Sequence, residues 1–160
     1  MAAHDGSDKT VIAAKMRSSD GAFELVMRLE QPLEPHRHRG WISYVLSMTA
    51  IVLGRETILR SSEDTELFLD AEFEPEVPLI CAGVRRVSSE GGSYFFTPAD
   101  EKDFELRVWN EGDHLRVRMQ FRDCPASDEF GWPVGVQVSR ESLLSFVDSL
   151  ERAYRDLVPA

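Results

Sequence analysis

The chain has 160 residues, a hydrophobic fraction of 42% and a formal net charge of −10. This length and composition suit one globular domain that folds around one core without needing a disulfide or a metal. A field of this sign repels phosphate backbones and anionic membranes, so we expect basic partners and exclude nucleic acid and membranes as partners.

The cysteines and the N-terminus indicate a reducing, cytoplasmic location. Cys81 and Cys124 are far apart and form no CxxC motif, and Cys81 lies in an apolar run typical of a buried free thiol. Residues 1–8 lack the basic and apolar regions of a signal peptide. The longest apolar stretch, Tyr44–Leu53, is too short to span a bilayer.

The first half of the chain is dominated by strand patterns. Residues 1–9 are small and polar, which predicts a frayed N-terminus before a single domain over 10–160. Phe23–Glu30 alternates apolar and polar residues and predicts a half-buried strand. Trp41–Leu53 is the longest strand candidate, and Glu56–Arg60 suits its hairpin partner.

The segment from Ser61 to Glu76 fits two structures. A serine followed by several acids suits the start of a helix, because the acids stabilise the positive end of the helix dipole. Alternating apolar residues in the same segment fit a strand equally well. We favour a short helix near residues 62–73, ended by Pro75 and Pro78.

The second half contains the clearest hairpin. Phe104–Trp109 and Leu115–Arg122 both alternate, and they flank a turn of the sequence Asn-Glu-Gly-Asp. Further short strands are predicted at Leu79–Val87, Ser93–Thr97 and Val134–Val138.

A C-terminal amphipathic helix completes the predicted fold. Ser139 suits the N-cap, and apolar residues recur at intervals of three and four over about 140–157. A single apolar stripe must pack on something flat, and the alternating strands supply it. The predicted class is therefore α+β, with a mainly antiparallel sheet of about six strands covered by this helix.

No catalytic or cofactor motif is present. Phosphate-binding, dinucleotide-binding and GxSxG motifs are absent, so we expect neither an enzyme nor a cofactor. His36 and His38 resemble the first metal motif of cupins, in which a glutamate follows four residues after the second histidine. Ile42 stands at that position here. We favour a solvated basic loop and predict no metal site, and we keep a cupin-like metal or small-ligand protein as an alternative.

An acidic segment is the main candidate for a binding surface. Residues 61–82 hold seven acids and no lysine or arginine, interspersed with two phenylalanines. Negative charge with aromatic anchors suits a basic protein partner, although a solvated helix face would show the same pattern. Two aromatics in a later loop either make a contact or plug the end of the sheet. The candidate partner-binding residues are Glu63, Asp64, Glu66, Phe68, Asp70, Glu72, Phe73, Glu74, Phe130 and Trp132.

The C-terminal third resembles a known family. Phe104–Trp109, a glycine turn, Leu115–Phe121, a further strand and the helical run Ser142–Glu151 together are similar to WapI-type immunity proteins of bacterial polymorphic toxin systems. That resemblance implies a non-catalytic, cytoplasmic immunity protein that neutralises a cognate basic toxin domain. An acidic secretion chaperone or adaptor is a further alternative.

Overall fold

The computed structural model confirms an α+β fold of antiparallel sheets with a C-terminal helix. It describes residues 13–63, 65–99, 103–112, 114–121, 130–131 and 135–158. Within these ranges the chain forms two five-stranded antiparallel sheets and two helices, rather than one sheet of about six strands.

The first sheet is formed by the first five strands. They are β1 (Ala13–Arg17), β2 (Phe23–Glu30), β3 (Trp41–Val52), β4 (Arg55–Ser61) and β5 (Leu67–Asp70). Their order is β1-β2-β3-β4, and β5 pairs with the beginning of β3 while β4 pairs with its end. The alternation predicted for β2 is confirmed, because Leu25, Met27 and Leu29 are buried on one face.

The second sheet repeats this plan after a helix. The elements are α1 (Glu76–Glu90), β6 (Gly92–Phe96), β7 (Phe104–Asn110), β8 (Leu115–Phe121), β9 (Phe130–Gly131), β10 (Val136–Val138) and α2 (Arg140–Leu157). The sheet order is β10-β8-β7-β6, and β9 pairs with the end of β8. Strands β9 and β10 thus share β8 as β4 and β5 share β3, so the chain is an internal structural repeat of five strands and a helix.

Each helix packs on the sheet of the other repeat. Helix α2 lies on β1 and β2, helix α1 lies on β6 and β7, and the two helices contact each other. Ser139 caps α2 as predicted, because its side chain accepts a hydrogen bond from the backbone N–H of Ser142 (3.0 Å). Helix α2 buries Phe146 and Leu150, and each such side chain contributes about 1.5–3 kcal/mol by leaving water. Neither helix in the described ranges is long and apolar enough to cross a membrane.

The predicted helix near residues 62–73 and the predicted strand at Leu79–Val87 are both wrong. Residues 62–73 contain strand β5. Residues 79–87 lie within helix α1, which begins at Glu76. Pro75 takes the N-cap position and Pro78 lies in the first turn, where a missing backbone N–H breaks no helical hydrogen bond. The prolines therefore begin a helix instead of ending one.

Candidate functional site

The outer face of the second sheet carries a cluster of cations and aromatic rings. On β7 and β8 alternate residues are buried beneath the sheet, so the intervening side chains lie on its outer side. The neighbouring strand β6 adds Phe95, which is 46% exposed. We define the second-sheet face as Phe95, Glu105, Arg107, Trp109, Arg116, Arg118 and Gln120.

Strand register brings these side chains together. Arg107 lies opposite Phe95 on one side and opposite Arg118 on the other. The Arg107 guanidinium carbon is 5.1 Å from the centroid of the Phe95 ring and 5.9 Å from that of the Trp109 ring. A cation at these distances is attracted to the faces of both rings.

The three arginines of this face differ in their partners. Arg116 donates from Nε to the Glu111 carboxylate at 2.7 Å, and its charge is thereby offset. Within the described ranges, Arg107 and Arg118 form no ion pair. The Nε of Arg118 is buried and has no hydrogen-bond partner. Because a buried donor without an acceptor is costly, this atom marks a place where an incoming acceptor would be favourable.

The second-sheet face is held in position from below by a close contact with α1. The Tyr94 ring packs directly over Gly83, where any side chain would collide with it, and the Tyr94 hydroxyl donates to the Leu79 carbonyl (3.1 Å). Burial raises the pKa of Tyr94 to about 12. Since Tyr94 points inward, the alternation of β6 turns Phe95 outward onto the second-sheet face.

Two other glycine and arginine contacts shape the edge of this face. A Cβ at Gly135 would lie 3.2 Å from the Trp109 ring, so the absence of a side chain leaves that ring room beside β10. The Arg116 side chain also donates to the Gly135 carbonyl (3.4 Å). These two contacts orient the Trp109 and Arg116 side chains at the edge of the second-sheet face.

Several acids of the predicted partner-binding surface accept hydrogen bonds within the fold. The Asp70 carboxylate accepts hydrogen bonds from the backbone N–H groups of Glu72, Phe73 and Glu74, which forms the turn before α1. Glu66 accepts from the backbone N–H of Leu33 at 2.8 Å. These carboxylates therefore stabilise loops of the fold, and their role in binding a partner stays a prediction.

Other members of the predicted surface differ in their exposure and partners. Glu63 pairs with Arg28 at 3.5 Å, whereas Glu72 and Glu74 are exposed. Phe73 is 88% exposed and is the one predicted aromatic that the described structure leaves free in solvent. Asp64, Trp132 and the side chain of Phe130 lie outside the described residues.

The histidine pair does not sit on a strand. His36 and His38 belong to the loop before β3, and the His38 ring stacks on Phe68 with centroids 4.5 Å apart. The described residues contain no group of three or more side chains that could hold a metal ion. Phe68, which was predicted as an anchor for a partner, thus makes a stacking contact with His38 within the molecule.

Sequence reasoning missed the second-sheet face although it predicted the strands that form it. The sequence predicts an alternating hairpin over Phe104–Trp109 and Leu115–Arg122, and it assigns no function to the arginines within it. The sequence does contain a signal for this face: the polar side of the hairpin carries several arginines and a tryptophan but only one acid. It became informative once the register had placed Phe95 beside Arg107.

Comparison with known proteins identifies a shared fold. No known protein family and no curated protein matches the sequence. The structure is similar to that of the plant transcriptional regulator PBF-2, with a TM-score of 0.55 and 10% identity over 92% of this chain and 82% of that chain. It is also similar to WHY1 from Arabidopsis thaliana, with a TM-score of 0.49 and 10% identity over 94% and 93% of the two chains.

The PBF-2 likeness contradicts two predictions. The fold is shared with a protein described as a transcriptional regulator, so the predicted toxin-neutralising immunity function is wrong. Transcriptional regulation concerns nucleic acid, so the predicted exclusion of nucleic acid as a partner is wrong as well. The net charge misled because it sums the whole surface, whereas a binding face depends on the charges that lie on it. The WapI resemblance of the C-terminal third stays a prediction.

Proposed function

We propose that this protein binds single-stranded nucleic acid on the second-sheet face, without catalysing a reaction, in the cytoplasm. The observation that carries the proposal is the Arg107 guanidinium held against the Phe95 and Trp109 rings, directly opposite a second unpaired arginine, Arg118. Cations that contact phosphates and aromatic rings that stack on bases are the two components of single-strand binding surfaces. The fold shared with a transcriptional regulator supports the same class of partner.

A single strand suits this face better than a duplex. The aromatic rings lie on an open sheet, where the faces of unpaired bases can reach them. In a duplex the base faces are stacked on one another, and reading their edges needs an element that enters a groove. We therefore assign Phe95 and Trp109 to base stacking and the arginines to the backbone.

The overall charge of −10 limits the electrostatic part of the affinity. Few phosphates can be neutralised by two unpaired arginines, so we expect a shallow salt dependence compared with strongly basic proteins. Stacking then supplies a larger share of the affinity, at roughly 1–3 kcal/mol per base.

The test is fluorescence anisotropy with a labelled oligothymidine and with a duplex of mixed sequence, at low and near-physiological salt. We expect the single strand to bind more tightly, and Trp109→Ala and Phe95→Ala each to weaken it by about fivefold to a hundredfold, from the stacking energy of one base. Phe73→Ala is the control, because this aromatic is even more exposed than Phe95 but lies outside the second-sheet face. Failure of the single strand to bind, tighter binding of the duplex, or an equal loss of affinity in the control would contradict the proposal.

A further inference from the structure

We infer that Arg107 and Arg118 together form a site for one phosphate group. The inference rests on the proposed function, since it names the backbone of the single strand as the source of that phosphate. It adds that both guanidinium groups bind the same phosphate instead of two successive ones.

The first support is the placement of the two arginines. They are direct cross-strand partners on β7 and β8, on the outer side of the sheet. Like charges in this position destabilise a strand pair, and no carboxylate within the described ranges forms an ion pair with either guanidinium. An anion bound between them would remove the repulsion and satisfy both cations.

The second support is the polar environment of Arg118. Its buried Nε lacks an acceptor, and a shallow depression beside it is lined by Glu105, Arg107, Arg118 and Gln120. Phosphate oxygens accept charge-assisted hydrogen bonds from guanidinium groups in a forked geometry.

The shared phosphate also links backbone binding to stacking. The Arg107 guanidinium carbon lies 5.1 Å from the centroid of the Phe95 ring and 5.9 Å from that of the Trp109 ring, so a phosphate held by this guanidinium lies close to both rings. The bases on either side of that phosphate can then stack on the rings.

The first arm of the test measures how oligothymidine affinity depends on salt for the wild type, Arg107→Ala, Arg118→Ala and the double variant. One neutralised phosphate contributes about 0.7 to the slope of log affinity against log salt for a single strand. We expect the slope of the double variant to be smaller than that of the wild type by no more than about 0.7, because the two substitutions together remove one phosphate contact. A loss of about 1.4 would mean two separate phosphates and would overturn the shared site. Arg37→Ala is the control, because this exposed arginine is already offset by Glu34 and lies in the loop before β3, outside the second-sheet face.

The second arm uses inorganic phosphate alone and compares thermal unfolding in phosphate and in chloride at equal ionic strength and pH. We expect phosphate to raise the Tm of the wild type and of Arg37→Ala more than that of Arg118→Ala, since a ligand stabilises only the state that binds it. An equal rise in all three proteins would reflect general exclusion of phosphate from protein surfaces and would overturn the site.

Together the two arms separate this inference from the proposed function. A phosphate-dependent Tm shift that needs Arg118, with no oligonucleotide binding, would retain the anion site for a small phosphorylated ligand and refute the nucleic-acid function. The opposite result would be oligonucleotide binding in which the two arginine substitutions reduce the salt slope additively and phosphate gives no Tm shift that depends on Arg118. That result would leave the nucleic-acid function intact and refute the shared site.

Discussion

The two sheets follow the same order of elements, but their outer faces differ in how charges are partnered. On the first sheet, Arg17 pairs with Glu24 at 3.1 Å, and Arg28 pairs with Glu30 at 2.8 Å. On the second sheet, Arg107 lies against aromatic rings and Arg118 keeps an unsatisfied buried nitrogen. The repeated scaffold thus presents ion-paired arginines on β1 and β2 of the first sheet, whereas Arg107 on β7 and Arg118 on β8 of the second form no ion pair among the residues that the structure describes.

The difference follows from which residue types alternate along the strands. Acids and arginines are neighbours within β2 and across its pairing with β1, so their charges offset one another locally. Such exposed pairs stabilise the fold by only about 0–1 kcal/mol each. Their main consequence is that the first sheet offers phosphate groups no unpaired cation among these residues.

The largest expected effect on stability distinguishes side chains buried beneath the second sheet from those on its outer face. Phe104 is 1% exposed and meets Tyr44 of the first sheet edge to face, with ring centroids 5.6 Å apart. Phe104→Ala should lower the free energy of unfolding by about 3–5 kcal/mol, because it leaves a cavity between the sheets. Phe95→Ala, on the opposite side of the same sheet, should lower it by less than about 1 kcal/mol.

Urea denaturation of both variants measures this contrast. If Phe95→Ala destabilised the protein as much as Phe104→Ala, the outer face would be part of the core and its aromatic ring would be serving the fold.

The strands and the terminal helix were predictable because their signals are local. Period-two alternation identified β2, β3, β7 and β8, and spacing at three and four residues identified α2. The division into two sheets was not predictable, because strand pairing joins residues far apart in sequence. Helix α1 was missed because its apolar run also suits a strand and because a proline can begin a helix as well as end one.

The site was less predictable than the fold. The identity and alternation of Arg107, Trp109 and Arg118 were visible in the sequence, but their lack of acidic partners depends on the register of three strands. The acids near residue 70, by contrast, were easy to notice in the sequence, but their contacts were not predictable from it. They formed a conspicuous run in the sequence, yet Asp70 and Glu76 use their carboxylates to accept backbone N–H groups.

The second prediction concerns the contact that supports β6. Gly83→Ala places a methyl group against the Tyr94 ring and should lower the free energy of unfolding by about 1–3 kcal/mol, as other overpacked sites do. The exposed neighbour on α1 gives a control, since Ala82→Ser should change stability by about 0.5 kcal/mol or less. Chemical denaturation checks both values. Equal stability of the two variants would show that the Tyr94 contact does not fix β6 on the helix.

The third prediction concerns alkaline pH and the same helix–sheet contact. Burial raises the pKa of the Cys81 thiol from 9.0 to about 11 and that of Tyr94 from 10.0 to about 12. Because both folded-state pKa values are raised, the associated stability is fully present below pH 9 and is lost as pH rises through these values. We expect the free energy of unfolding to fall by about 2–3 kcal/mol between pH 9 and 12, mainly through Cys81, since one unit of pKa shift corresponds to about 1.4 kcal/mol and solvent screens part of the effect at the half-buried Tyr94.

Cys81→Ala and Tyr94→Phe remove these titrating groups, so the difference in stability between each variant and the wild type should narrow across this pH range. Parallel profiles for the variants and the wild type, measured by denaturation at fixed pH values, would show that neither group titrates as its burial requires.

The smallest effect concerns the β3–β4 hairpin of the first sheet. Leu53 is 97% exposed and adopts a φ of +52°, a left-handed conformation that costs a leucine about 1–2 kcal/mol and that asparagine tolerates better. Leu53→Asn should therefore raise the free energy of unfolding by about 0.5–1 kcal/mol and leave oligonucleotide affinity unchanged. Leu53→Val is the opposing control, because a β-branched residue is disfavoured at positive φ and should lower stability. Thermal unfolding gives the sign for each variant. A loss of oligonucleotide affinity in the stabilised Leu53→Asn protein would show that binding extends to the first sheet, and the functional contrast between the two sheets would no longer hold.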